Sequence, residues 1–192
     1  MPDLATVVIV PGLREHVADH WQTLLEARLK RTRNVVAVPT LPRSNLSCNE
    51  RVEALQETLG NIAGAVLLVA HSGGVATLVH WAARHSRAEI IGALLAAPAD
   101  LETPLPEGYP SLPSLRDKGW LPLPRVRLPF RSIVAASSND PLASLTRVEQ
   151  MASAWGSDCV YIGAVGHLNP ASGYGEWLQA DDFIARLDRT SL

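Results

Sequence analysis

The chain is poor in cysteine: Cys48 and Cys159 are the two among 192 residues, too few for a disulfide framework and at a length that does not need one. A reducing, cytoplasmic setting is the simpler expectation. Charge of one sign is missing too. Seventeen Lys and Arg against 19 Asp and Glu leave a formal net charge of −2, which gives no reason to expect a nucleic-acid partner and suits a small neutral or mildly polar substrate. Long apolar runs are absent: Val7 to Val10 falls far short of a signal-peptide core or a membrane span, and Asp3 stands where a basic leader would begin. No membrane partner is expected. No G-x-G-x-x-G follows the first apolar segment and no phosphate loop occurs, which counts against a nucleotide-binding sheet. His16 and His20 have the i, i+4 spacing of a metal pair, but the H-E-x-x-H pattern and a third ligand are lacking, so they read as surface histidines. Neither metal nor cofactor is expected. Without internal repeats or low-complexity tails, residues 1–192 read as a single domain.

What the chain does have is alternation. With 47% hydrophobic and 19% charged residues it is globular in composition. Apolar strand signals at Thr6–Val10, Val35–Val38, Ala65–Ala70, Ile90–Ala97, Ser132–Ala136 and Cys159–Ile162 are separated by helical periodicity. Helices are expected from about Ala18 to Lys30, from a Ser47–Glu50 capping box to Gly60, from Gly73 to about Arg84, from Leu142 to Trp155, and from Gly175 to Leu187. Strands apolar on both faces call for a parallel sheet covered on both sides. The expected architecture is α/β: a doubly wound, mostly parallel six-stranded sheet of order 2-1-3-4-5-6. Between Ala97 and Phe130 the periodicity dissolves into scattered prolines, and a loop of that length usually has a function or is mobile.

The third strand runs straight into Ala70-His71-Ser72-Gly73-Gly74. A serine on a sharp strand-to-helix turn has strained backbone angles and needs small neighbours, which Ala70, Gly73 and Gly74 supply. Ala70 stands where the usual G-x-S-x-G pattern has its first glycine. The same turn leaves the first amides of the next helix unpaired and aimed at the serine hydroxyl. Taken alone, the string could equally be an ordinary helix cap.

The residues after the later strands weigh against that plainer reading. Ser137-Ser138-Asn139-Asp140-Pro141 follows the fifth strand, and Gly166-His167-Leu168-Asn169 follows the sixth. Ser72, Asp140 and His167 therefore fall on one edge of the sheet in the order serine, acid, histidine. The chemistry asks for all three: serine is a weak nucleophile, imidazole can take its proton near neutral pH, and a carboxylate fixes the imidazole's tautomer. Asp100, after the fourth strand, is the rival acid. Asp140 is preferred because its strand neighbours the histidine's, and Asp158 opens a strand at the opposite edge. The backbone N–H groups of Gly73 and of Leu13, in the Pro11-Gly12-Leu13 loop, are the candidate oxyanion donors, with Gly12 permitting close approach. His71 should point away from the substrate and pack or hydrogen-bond beneath the loop. Tyr109, Leu112 and Trp120 could line an acyl pocket or simply anchor their loop.

Val8-Ile9-Val10-Pro11-Gly12-Leu13 with Trp21, Ala70–Gly74, Ser137–Pro141 and Gly166–Asn169 together resemble the small single-domain serine hydrolases related to retinoblastoma-binding protein 9. That resemblance spans nearly the whole chain. It implies a trimmed α/β-hydrolase fold lacking the first two strands and a cap domain, and a carboxylesterase-like activity on small acyl substrates, ester or amide. The alternative is a protein-binding module that keeps the hydrolase fold and holds a partner through residues 98–129.

Overall fold

The computed structural model describes residues 4–14 and 17–189. Its six strands are β1 (Thr6–Val10), β2 (Val35–Ala37), β3 (Val66–His71), β4 (Ile90–Ala96), β5 (Ser132–Ala136) and β6 (Asp158–Tyr161). They form one sheet of order β2-β1-β3-β4-β5-β6, with every neighbouring pair parallel. The sequence-based topology is the one observed.

Parallel strands need crossovers, and the crossovers cover both faces. Helices α1 (Trp21–Leu29) and α6 (Gln179–Asp188) pack on the face presented by Val7, Ile9, Leu67, Val69 and Leu94. The opposite face, presented by Val8, Val10, Leu68, Ala70 and Leu95, packs against α2 (Cys48–Gly60), α3 (Gly73–Ala82) and α5 (Leu145–Trp155). Period-two alternation along each strand thus feeds two separate cores. The edge strands depart from the two-sided expectation: Val36 of β2 and Tyr161 of β6, the end strands of the described sheet, are exposed.

Local signals explain the helix starts. Ser47, Ser144 and Ser111 each accept a backbone N–H three residues on. The expected capping box at α2 is only half formed. Glu50 Oε2 accepts from Asn45 Nδ2 at 2.6 Å, and Asn45 Oδ1 takes the Ser47 N–H at 3.1 Å, so Asn45 supplies the reciprocal bond. Ser144 begins α5 three residues later than the periodicity suggests.

The proline-rich stretch also differs from the expectation. It contains a short helix, α4 (Leu112–Asp117), and is fastened at many points. Leu115, Trp120, Leu123 and Leu128 are buried in the core. The Trp120 indole N–H donates to the Leu46 carbonyl at 2.8 Å, the Trp120 carbonyl accepts from His80 at 3.0 Å, and the Lys118 carbonyl accepts the Cys48 N–H at 3.0 Å. This segment roofs α3, which is why residues 73 to 81 of that helix are buried all round. No described helix is long and apolar enough to cross a membrane.

Helix α3 approaches β1 unusually closely. A Cβ added at Gly74 would stand 2.4 Å from the Val10 carbonyl oxygen and 2.5 Å from that of Pro11, whereas one added at Gly60, the last residue of α2, meets nothing within 4 Å. Gly74→Ala is expected to destabilise the fold by about 1–3 kcal/mol, since backbone must move. Gly60→Ala should stabilise it by about 0.5–1 kcal/mol through helix propensity. Urea midpoints of the two variants against wild type check both signs.

Candidate active site

Ser72 is the junction between β3 and α3, with φ 55° and ψ −125°. Such a backbone is costly for any residue with a Cβ, by roughly 1–3 kcal/mol. The Ser72 N–H still completes the sheet ladder by donating to the Ala96 carbonyl at 3.1 Å. Ala70 is fully buried in β3, and its single methyl fits where glycine is usual. Two more non-glycine residues with positive φ, Ala97 and Leu168, lie after β4 and beside His167. Strain in this fold collects along the carboxyl edge of the sheet.

The structure brings Ser72, His167 and Asp140 together. Ser72 Oγ lies 2.7 Å from His167 Nε2, and His167 Nδ1 lies 2.8 and 3.0 Å from the two carboxylate oxygens of Asp140. A carboxylate only accepts, so Nδ1 carries the proton and Nε2 is left to accept from the serine hydroxyl. The His167 and Asp140 side chains are almost fully buried, at 4% and 2% exposure, while Ser72 is half-buried and reachable. Asp140 is further fixed by the Leu142 N–H at 2.8 Å.

The rival Asp100 is engaged elsewhere. Its carboxylate receives the Arg147 guanidinium at 2.8 and 3.1 Å, and Arg147 also reaches Glu102 at 2.9 Å. Burial alone would push the Asp100 carboxyl upward, but the bonds from Arg147 and the Glu102 N–H outweigh it and hold the pKa below its ordinary value. Asp158 opens β6 at the far edge, as expected.

The loop after β1 lies directly against Ser72. A Cβ on Gly12 would be 3.5 Å from Ser72 Cβ, and one on Gly73 would strike the Leu13 side chain at 2.4 Å. Close approach around the serine thus falls at Gly73 and Gly74, and Gly12, expected to be required for it, has ordinary room. Among the described residues, neither the Leu13 nor the Gly73 N–H donates to a backbone carbonyl. The Leu13 carbonyl accepts from Arg51 Nη2 at 3.2 Å, as does that of Asn45. Arg51 is a buried cation beneath the loop, and its position in α2 gave no hint of that use.

Other residues steady the histidine. Asn139 Oδ1 accepts the Gly166 N–H at 2.6 Å and the Ser137 hydroxyl at 3.1 Å, tying the loop after β5 to the one after β6. The His167 N–H donates to Ser172 Oγ at 3.0 Å, and that hydroxyl donates to Asn169 Oδ1 at 2.9 Å. His71 donates from Nε2 to the His167 carbonyl at 2.9 Å, the bond beneath the loop that the sequence suggested, although its ring also borders the cavity described below. Its ring centroid lies 5.0 Å from that of His167 and 4.8 Å from that of His20. His20 is therefore not a free surface residue: it caps α1 and packs on His71. His16 lies outside the described residues, and among those described no three His, Cys, Asp or Glu converge as a metal site requires.

Above Ser72 opens a cavity of about 590 Å³, within the range of small-molecule sites. Leu101, Leu105, Tyr109 and Leu142 give it an apolar wall, and Gly73 and Leu13 flank the serine. Of the three aromatic or apolar candidates, Tyr109 lines the cavity and Trp120 is buried as an anchor; Leu112 begins α4 outside the lining.

A parallel sheet with a serine on a strained turn at its carboxyl edge, approached by a histidine and an acid from later strands, is the α/β-hydrolase arrangement. Residues 7–186 match the family described as serine hydrolase, and the chain belongs to that family of enzymes. The fold is similar to that of a YdeN-like hydrolase from Pectobacterium atrosepticum, with 27% identity, a TM-score of 0.80, and coverage of 96% of this chain and 91% of that one. The ydeN gene product of B. subtilis is similar at 16% identity and a TM-score of 0.75, with 95% and 98% covered. So is the RedJ thioesterase of Streptomyces coelicolor, at 17% identity and a TM-score of 0.63, with 97% and 90% covered. No curated protein matches the sequence.

Burial holds the His71 pKa well below the ordinary 6.5, and the neighbouring His167 and His20 push it the same way. Unfolded, His71 takes up a proton as pH falls below about 6.5; folded, it does not. Its contribution to stability is therefore intact above that pH and is lost as pH falls toward the folded value, by up to about 1.4 kcal/mol per pH unit. His71→Gln retains an N–H donor and cannot titrate. Its urea midpoint is expected to fall less than that of wild type between about pH 7.5 and about pH 5.5.

Proposed function

We propose that the protein is a carboxylesterase-like serine hydrolase that cleaves small acyl esters, thioesters or amides through an acyl-enzyme, with Ser72, His167 and Asp140 as its triad. The observation that carries this reading is the unbroken chain of short contacts from Ser72 Oγ through both nitrogens of His167 to Asp140. His167 Nε2 accepts the proton as Ser72 Oγ attacks the acyl carbonyl, and Asp140 steadies the imidazolium that results. The tetrahedral oxyanion rests on the N–H groups of Gly73 and Leu13, two residues that line the cavity with Ser72 and whose amides, among the described residues, donate to no backbone carbonyl. The same imidazole then protonates the leaving group, and water enters by the reverse route to release the acid. The anchoring of residues 98–129 into the core and around the cavity suits a pocket wall, and no observation favours the protein-binding alternative.

A fluorophosphonate probe is expected to label Ser72 in native protein and to fail after heating. Ser72→Ala should remove turnover of p-nitrophenyl esters by a factor on the order of 10⁶. Activity surviving in the purified variant would take Ser72 out of the mechanism. The two acids separate in a second comparison: Asp140→Asn should lower kcat by about 10⁴-fold. Asp100→Asn, corrected for the folded fraction, should stay within about tenfold of wild type, since it disturbs an ion pair and not the histidine. The reverse ranking would reassign the acid.

A further inference from the structure

Arg14, Arg43 and Lys118 come from the loops after β1 and β2 and from the end of α4, and all three line the cavity that contains Ser72. Arg14 and Arg43 bracket one short piece of the roof. The Arg14 guanidinium lies 4.4 Å over the Tyr109 ring, and Arg43 Nη2 donates to the Gly108 carbonyl at 2.8 Å. No described carboxylate pairs with Arg14 or Lys118. The carboxylate among the described lining residues, Glu26, stands on α1 and is paired with Lys30 at 2.7 Å. Arg51 adds a further positive charge beneath the Leu13 loop. In a chain of net charge −2 this local excess is a property of the cavity, not of the protein as a whole.

From this arrangement we infer that the preferred substrate is amphiphilic: an acyl ester or thioester with an apolar segment and an anionic group, carboxylate or phosphate, remote from the scissile carbonyl. The inference rests on the hydrolase reading above and deepens it. Leu101, Leu105 and Leu142 supply the wall for the apolar segment, and the exposed cations at the rim supply the field that draws and orients the anion. Such a field acts on encounter and on orientation without touching the reacting atoms. It must therefore fade as salt shortens the Debye length.

The test is a matched set of esters: p-nitrophenyl butyrate, the mono-p-nitrophenyl ester of glutaric acid with its anion on the acyl side, and the acetyl esters of 4-hydroxybenzoate and of 4-hydroxyphenyl phosphate with the anion on the leaving group. At low salt at least one anionic ester is expected to exceed a neutral ester of equal intrinsic reactivity by about tenfold in kcat/KM, and at about 0.5 M salt the ratio should fall toward one. Which arm wins assigns the cations to the acyl or the leaving-group side, and carboxylate or phosphate as the anion. In the Arg14→Glu/Lys118→Glu variant the anionic-to-neutral ratio should drop to one or below, with the milder Arg14→Gln intermediate. Equal or better turnover of neutral esters at low salt, or a ratio indifferent to charge reversal, overturns the inference while Ser72 labelling and neutral-ester hydrolysis leave the hydrolase reading standing. Loss of labelling and of all ester turnover in wild type would instead take down both.

Discussion

The close approach of α3 to the end of β1 is the constraint on which the site depends. Gly74 lets the helix start within contact of the Val10 and Pro11 carbonyls, and only from there can β3 turn into α3 within the single residue Ser72. The positive-φ backbone of that serine is unfavourable by itself. It persists because nine consecutive residues of α3 are buried between the sheet and the proline-rich roof, and that burial is worth far more than the local strain, at roughly 25 cal/mol per Å² of apolar surface. The same approach sets Leu13 over Gly73, so the two amides proposed to hold the oxyanion are positioned by one packing contact.

The roof contributes a second layer of organisation. Asp100 follows β4 and could have reached toward the histidine, but Arg147 on α5 pairs with its buried carboxylate, and Glu102 and Arg125 extend that ion pair toward the surface. The Asp100 N–H also donates to the Leu142 carbonyl, and the Leu142 N–H donates to Asp140. One acid thus helps fix the loop that carries the other. The division of labour follows from the partners each carboxylate has.

Sequence reasoning found the strands, their order and the three residues at the rim because each rests on local signals: β-branched runs, small residues around Ser72, and turns rich in Gly, Asn and Pro. It could not find what depends on distant packing. Arg51 carries no local signal within the α2 stretch, yet it reaches under the Leu13 loop. His20 reads as a surface histidine, yet it caps α1 and packs on His71. Helix α4 was hidden because Pro113 at its start suppresses the periodic pattern, while Ser111 and Pro113 are both favourable in a first turn. The basic rim was invisible for a simpler reason: Arg14, Arg43 and Lys118 are more than twenty residues apart in the chain and form no run.

The neutral state of His71 bears on the proposed chemistry as well as on stability. Three imidazoles lie in tilted contact behind the serine, and under the proposed mechanism the one at position 167 must become positively charged while the acyl bond is attacked. A second imidazolium at 5.0 Å would oppose that by about 3 kcal/mol at an effective dielectric of about 20, enough to slow the step by roughly two orders of magnitude. Burial against Trp21 and β3 keeps His71 unprotonated, so it can donate one N–H to the His167 backbone and add no opposing charge. A polar residue at this position in an otherwise apolar strand is thus explained by the bond it makes, and its burial by the charge it must not carry.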